Sequence, residues 1–201
     1  FFMALLDHVA AAGCKVPCAI ADNEGQQIKE LSGRAACLIE FLEGVSLSTP
    51  TPSQAHAAGI ALGELHKAME SFSGTRPNSM GLQSWHPLAD KCAGHWDEID
   101  ASLEQQVYEA LAAVERDWPK HLPTSVIHAD LFPDNVFFRD GKLTGMIDFY
   151  FACTDMFAYD LGVCLNAWCF EPDLSFNVTK ARRMLTAYRK VREFSAEEME
   201  A

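Results

Sequence analysis

The chain has 201 residues, 49% of them hydrophobic, with 12 Gly, 9 Pro and a formal net charge of −12. That content is enough to bury a sizeable core as one domain or one large lobe, and it excludes a disordered chain. The acidic balance excludes a nucleic-acid binder, which needs a stripe of Lys and Arg against phosphates. It suits a cationic or zwitterionic small partner, although a solvated acidic surface accounts for most of the charge. Seven cysteines without a C-x-x-C pair read as buried free thiols in a reducing cytoplasm rather than as disulfides or a zinc site. No apolar run is long enough to span a bilayer, and no signal-peptide pattern opens the chain.

Taken in order, residues 1 to 12 read as the end of a helix closed by Gly13. The chain extends around Val16-Pro17-Cys18 and turns at Asp22-Asn23-Glu24-Gly25. The apolar run from Ala35 to Phe41 is expected to be a buried strand. After a polar linker, Thr51-Pro52-Ser53-Gln54 forms a capping box with Pro at the first helical position. The helix it opens carries a buried stripe of Ala58, Leu62, Leu65, Met69 and Phe72. His66 lies at the edge of that stripe, as a packed or capping residue would, and receives no role.

Residues 75 to 84 read as a loop and Trp85 to Ser102 as a helix. A second helical face runs through Leu103, Val107, Leu111, Val114 and Trp118, and Pro119 ends it. Ser125-Val126-Ile127 is a short strand. Val136 to Phe138 and Leu143 to Ile147 flank Asp140-Gly141, a strong hairpin signal. Phe157 to Phe170 is an apolar helix, and Val178 to Val191 an amphipathic one with a basic outer face. A last capping box, Ser195-Ala196-Glu197-Glu198, announces a further helix close to Ala201. Opening on an apolar helical run without an initiator and stopping inside a new helix, the sequence reads as an internal piece of a longer protein.

The chemistry concentrates between residues 128 and 149. His128-Ala129-Asp130-Leu131-Phe132-Pro133-Asp134-Asn135 is followed, thirteen residues after Asn135, by Asp148 within Ile147-Asp148-Phe149. The first run matches the kinase catalytic-loop pattern H-R-D-L-x-x-x-N except for Ala129 in place of Arg. Phosphoryl transfer from ATP needs one Asp to orient the accepting hydroxyl, and an Asn with a second Asp to hold Mg²⁺. Asp130 is the expected base, with Asn135 and Asp148 as metal ligands. A capping Asp or a turn Asn would explain any one of them, but not the three at this spacing. His128 is expected to be structural, tying the loop together, with the buried carboxylate of Asp160 as its hydrogen-bond partner. A hydrolase reading, with His128 and Asp130 as metal ligands, lacks a second His-rich element.

These motifs, together with Tyr159-Asp160-Leu161, resemble the aminoglycoside phosphotransferase and choline kinase superfamily, the protein-kinase-like fold used on small molecules. The stretch from Ile147 to Phe170 resembles the homoserine kinases of that superfamily. The resemblance implies an α+β fold: the helical C-terminal lobe with its small catalytic hairpin, plus a remnant of the N-terminal lobe. Residues 1–42 would be that remnant, an αC-like helix and the hinge strand, and residues 43–201 the helical lobe, incomplete at its C-terminus. It implies ATP and Mg²⁺ as cofactors, Asp130 as base, Asn135 and Asp148 as ligands, and His128 and Asp160 as buttresses of the loop. It places Glu40, Phe41 and Leu42 in the hinge, where the Glu40 carbonyl and the Leu42 amide would meet adenine.

The Gly-rich loop, the Val-Ala-Ile-Lys strand and the helix Glu of such enzymes do not occur in the chain; the family carries them upstream of the equivalent of Phe1. A piece without them is expected to bind ATP poorly and to show little or no kinase activity. For homoserine, an ammonium, a carboxylate and a hydroxyl must be met, and Asp155, Asn166 and Trp168 are the candidates; Trp168 also falls on the Leu161, Leu165 stripe, where it would be core. A kinase for an aminoglycoside, choline or a sugar, and a non-catalytic pseudokinase-like binding module, are the competing readings.

Overall fold

The computed structural model describes residues 1–200. In chain order these form α1 (Phe2–Ala11), β1 (Ala19–Ile20), β2 (Lys29–Leu31), β3 (Arg34–Ala36), β4 (Leu38–Ile39), α2 (Pro52–Met69), α3 (Leu82–Asp90), α4 (Leu103–Asp117), β5 (Thr124–Ile127), β6 (Val136–Arg139), β7 (Lys142–Met146), β8 (Cys153–Met156), α5 (Phe157–Cys169), α6 (Val178–Val191) and α7 (Ala196–Glu200). The architecture is α+β: helices dominate, and the described strands pair as two-stranded antiparallel ribbons. Two compact units are present. One joins Phe1–Arg76 to the chain from Pro123 onward, and the other is Pro77–Leu122.

Helix α2 is the spine of the first unit. Its start is fixed locally: Gln54 N–H donates to the Thr51 hydroxyl at 3.3 Å, and Thr51 N–H donates to the Gln54 side-chain oxygen at 2.8 Å, with Pro52 in the first turn. The buried face carries Ala58, Leu62, Leu65 and Met69; the helix ends at Met69, so Phe72 packs from the turn beyond it. Small residues bring α6 close. A Cβ added at Gly59 would stand 2.4 Å from the Met184 carbonyl oxygen, and one at Gly63 would stand 3.0 Å from Val191 Cβ. The core cluster they share includes Trp168 of α5 with Met184 and Tyr188 of α6. On α6, Lys180 is buried and pairs with Glu171 at 2.8 Å, so the expected basic face is exposed only at Arg182, Arg183, Arg189 and Lys190.

The hairpin of β6 and β7 pairs Val136 with Met146 and Arg139 with Lys142. Asp140 and Gly141, at φ 49° and 75°, supply the two left-handed residues that such a tight turn requires. β5 pairs with β8, Thr124 opposite Met156 and Ile127 opposite Cys153. No local pattern foretold this pairing, and it brings the ends of two loops together.

Three expectations are corrected. The run Ala35–Phe41 is not a buried strand: it divides into β3 and β4, with Leu38 70% and Phe41 89% exposed. β4 pairs with β1 and β3 with β2, and ribbons of two or three residues are too narrow to enclose their apolar side chains. Trp85 to Ser102 is not one helix, because α3 ends at Asp90 and the chain turns at Gly94, φ 81°. Of the cysteines, all free, Cys153, Cys164 and Cys169 are buried, while Cys37 and Cys92 are exposed. Among the described residues no helix is long and apolar enough to cross a membrane.

Candidate active site

The strand β5 delivers His128 into the core and Asp130 to its edge. His128 is fully buried. Its Nδ1 accepts from Asp130 N–H at 3.2 Å, so the ring proton sits on Nε2, which donates to the Ile147 carbonyl at 3.0 Å. Burial lowers the pKa of His128 against the opposing pull of the Asp160 charge, in keeping with this neutral tautomer. One imidazole thus clips the Asp130 loop to the residue before Asp148. Ile147 N–H adds a second tie, to the Asn135 carbonyl at 3.0 Å.

Asp160, on the first turn of α5, is fully buried. It was expected to bond the His128 ring. Instead its two oxygens accept from the backbone N–H of His128 at 2.9 Å and of Ala129 at 2.8 Å. Ala129 sits at φ 63°, a left-handed turn that aims both amides at one carboxylate. The third donor is His66 Nε2 at 2.9 Å. Sequence reasoning gave His66 no role; a buried carboxylate still owed a donor was the signal that could have found it. Burial by itself would raise the Asp160 pKa, but the hydrogen bond from His66 and the one from the His128 backbone N–H oppose it, and the carboxyl is held below its ordinary range.

Asn135, closing the short 3₁₀ turn Pro133–Asn135, directs its Nδ2 at Asp130, donating to the carbonyl at 2.8 Å and to the carboxylate at 3.1 Å. Asp130 titrates above the ordinary carboxylate value, first because it is partly buried and then because Asp148 repels its charge; the Asn135 hydrogen bond opposes both. Asp148 is exposed and left-handed, φ 62° and ψ 60°, and its carboxylate caps Tyr150 N–H at 3.4 Å. Among the described residues no three His, Cys, Asp or Glu gather to hold a metal. The donor set here is different: one carboxylate, one carboxamide oxygen left over by a committed Nδ2, and mutual repulsion between two carboxylates that a cation would relieve. That chemistry fits a hard oxygen-seeking ion completed by ligands from a bound phosphate.

Arg76 braces the Asp148 loop from the other side. Its guanidinium donates to the carbonyls of Tyr150 at 3.2 Å and Ala152 at 2.9 Å, and lies 5.1 Å from the centre of the Phe2 ring. Phe2 also stacks on Tyr150 with centroids 5.9 Å apart, so helix α1 and the loop share one cation. Its signal was absent from the motif itself.

The phosphotransferase enzyme family (APH) matches residues 1–194. The chain belongs to this family. It is 48% identical over 200 residues to a homoserine kinase of Chelativorans sp. (strain BNC1), covering all of this chain and 62% of that protein; its share of the other curated homoserine kinases it matches is similar. Among solved structures, amicoumacin kinase hAmiN in complex with AMP-PNP, Ca²⁺ and Ami superposes with a TM-score of 0.73 at 14% identity, over 96% of this chain and 61% of that one. Aminoglycoside-3′-phosphotransferase of type VIII gives 0.66 at 20% identity, over 99% and 76%. The fold is the kinase-like one of these phosphotransferases.

In this phosphotransferase chain the remaining expected site residues are distributed unevenly. Trp168 is corrected as a substrate contact: it is fully buried, and its indole N–H donates to the Leu131 carbonyl at 2.7 Å. A large side chain with one polar atom, already satisfied, supports the Asp130 loop from below. Asp155 is half-buried on β8 and accepts from Met156 N–H at 2.8 Å, while Asn166 is exposed on α5. In the hinge segment, Glu40 N–H donates to the Cys18 carbonyl at 2.9 Å, Phe41 is exposed, and the Leu42 side chain packs on Gly145, where a Cβ would meet it at 2.3 Å.

Proposed function

We propose that the protein carrying this chain transfers the γ-phosphoryl group of ATP to the hydroxyl of L-homoserine, giving O-phospho-L-homoserine for threonine synthesis. The observation that carries the reading is the clipped pair of loops, with Asp130 bonded by Asn135 and tied through His128 to Ile147-Asp148. The likeness of the whole chain to homoserine kinases supplies the acceptor.

In this reading the Asp130 carboxylate accepts a hydrogen bond from the homoserine hydroxyl and takes its proton late in the transfer, a role worth ~10²–10⁴-fold in rate. Asn135 Oδ1 and Asp148 would hold Mg²⁺, which when bound would supply positive charge opposite the transferring phosphate. Asp160 and His128 keep the loop preformed, which favours reaction by positioning rather than by covalent chemistry. The Glu40 carbonyl, Phe41 and the Leu42 amide form the adenine edge of the hinge, at the end of a lobe remnant covering residues 1–42. Asp155 and Asn166 are the groups we assign to the ammonium and carboxylate of the amino acid. A cytoplasmic location agrees with the unpaired thiols.

The test is ADP release by the protein carrying this chain, with homoserine, choline and an aminoglycoside offered in turn. Turnover with homoserine is expected. Turnover confined to either of the others overturns the acceptor, and no turnover together with no Mg²⁺-ATP binding overturns the enzyme reading.

A further inference from the structure

Behind the catalytic loop a line of buried polar side chains runs from Asp160 to the segment after α6. His66 Nε2 stands 2.9 Å from Asp160, and His66 Nδ1 stands 2.8 Å from the Tyr188 hydroxyl. The same hydroxyl is 3.2 Å from Arg192 Nη1, and that guanidinium nitrogen is 2.9 Å from the Glu198 carboxylate. His66, Asp160 and Tyr188 are fully buried, Arg192 is 8% exposed, and the Glu198 side chain is 2% exposed. The guanidinium also lies over the Phe157 ring, 4.2 Å from its centre. Glu198 is fixed in turn by the capping box with Ser195, at 2.9 and 3.2 Å.

Proton counting gives this line a direction. A guanidinium has donors and no acceptor, so the Tyr188 oxygen accepts from Arg192. The Tyr188 proton is then left to donate to His66 Nδ1. With Nδ1 accepting, the neutral ring carries its proton on Nε2 and donates to Asp160. Each donor along this line finds an acceptor, and Arg192 Nε turns aside to Glu70 at 3.4 Å. A doubly protonated His66 would instead leave the Tyr188 proton without a partner in the core, at the cost of a buried unmade hydrogen bond. The chain of bonds therefore runs one way, from Arg192 through Tyr188 and His66 to the carboxylate that holds the His128 and Ala129 amides.

We infer that His66, Tyr188 and Arg192, locked by Glu198, are positioning residues for phosphoryl transfer: they orient Asp160, which sets the turn that carries Asp130. None of the four is placed to touch substrate, and their effect passes through the loop. The close approach of α2 and α6 at Gly59 and Gly63 fixes the His66-to-Tyr188 spacing. The catalytic part of this inference rests on the kinase reading above, whereas the direction of the relay does not.

Tyr188→Phe tests it, because the ring and its stacking on Phe194, centroids 5.3 Å apart, are kept while the hydroxyl is lost. In the protein carrying this chain, kcat is expected to fall roughly tenfold, the scale of one buried hydrogen bond, with KM for homoserine and for ATP unchanged. The ¹⁵N shifts of His66 are expected to show an unprotonated Nδ1 and a protonated Nε2 in the unsubstituted protein, and a mixture of tautomers in Tyr188→Phe. The amide resonances of His128 and Ala129 are expected to move with them. A protonated Nδ1 in the unsubstituted protein, or an unchanged kcat in a folded Tyr188→Phe variant, overturns the inference. If that variant does not fold, Glu198→Gln loosens Arg192 from the far end of the line: a shift of the His66 and Ala129 signals is expected, and their constancy overturns the relay. The spectra need no substrate, so absence of turnover with every acceptor would count against the proposed function alone.

Discussion

The side-chain amide of Asn135 donates to both oxygen types that Asp130 presents, the main-chain carbonyl at 2.8 Å and the carboxylate at 3.1 Å. The amide nitrogen is thereby committed to Asp130, and the oxygen end of the carboxamide takes no part in these bonds. In the proposed kinase reading, base and metal ligand form one hydrogen-bonded unit.

Replacing Asp130 by Asn keeps that geometry and removes the proton acceptor. Turnover is expected to fall by ~10²–10⁴-fold, with Mg²⁺-ATP affinity little changed, as read by steady-state kinetics and a nucleotide titration. The fold responds in the other direction. Asp130 has a raised pKa in the folded chain, so its ionised form subtracts stability at pH 7, and this penalty fades as pH falls below the folded value. Asp130→Asn is therefore expected to unfold at higher urea than the unsubstituted protein at pH 7, with the difference closing in acid.

Asp148 contributes to that raised value after burial does. Asp148→Asn is expected to lower the Asp130 pKa in metal-free protein without restoring the ordinary carboxylate value, because burial remains. A ¹³C titration of the Asp130 carboxyl measures this directly. An unchanged midpoint would mean that the two carboxylates do not sense each other.

Asp160 behaves oppositely. Its folded pKa is depressed, so its contribution is complete above the ordinary carboxylate range and is lost as pH falls through the folded value. Asp160→Asn replaces the carboxylate that holds three donors by a neutral group and is expected to cost about 1.5–3 kcal/mol at pH 7, the scale of a hydrogen bond to a charged group, measured by denaturant unfolding. The gap to the unsubstituted protein should narrow at the acid end.

Arg76→Leu removes two charged donors from the carbonyls of Tyr150 and Ala152 while leaving an apolar side chain against Phe2. The Asp148 loop loses its brace, and the Mg²⁺ concentration needed for half-maximal turnover is expected to rise about tenfold, as loss of about 1.4 kcal/mol would give. An unchanged Mg²⁺ dependence would show that the loop holds its shape without Arg76.

Gly59→Ala separates helix propensity from packing. The substitution favours an isolated helix by about 1 kcal/mol, yet the new methyl would meet the Met184 carbonyl oxygen at 2.4 Å. Backbone cannot swing aside, so a net loss of about 1–2 kcal/mol is expected, visible as a lower thermal midpoint.

What was legible in the sequence was local. The Thr51 capping box, the Asp140-Gly141 turn and the spacing of Asp130, Asn135 and Asp148 each depend on residues within about one turn or hairpin of one another. What was not legible depends on distance along the chain. The partner of Asp160 lies 94 residues away at His66, and Arg76 reaches 76 residues to Ala152. β5 pairs across the whole catalytic segment with β8. Trp168 misled because a tryptophan beside a site reads the same whether its N–H meets a ligand or, as here, a carbonyl beneath the loop. The apolar side chains of Leu38, Ile39 and Phe41 misled because hydrophobicity reports a tendency to be covered, not the presence of a cover.

The left-handed turn at Ala129 aims two successive amides at a single point, the shape with which many proteins seize a phosphate. Here Asp160 fills that cup from within, so no incoming anion can use it. In the proposed kinase reading the ligand would meet Asp130 and Asp148 instead, two carboxylates that oppose a naked polyphosphate. A triphosphate would then have to bring its own counter-charge, so that free and metal-complexed nucleotide are told apart by the same two side chains that serve the transfer.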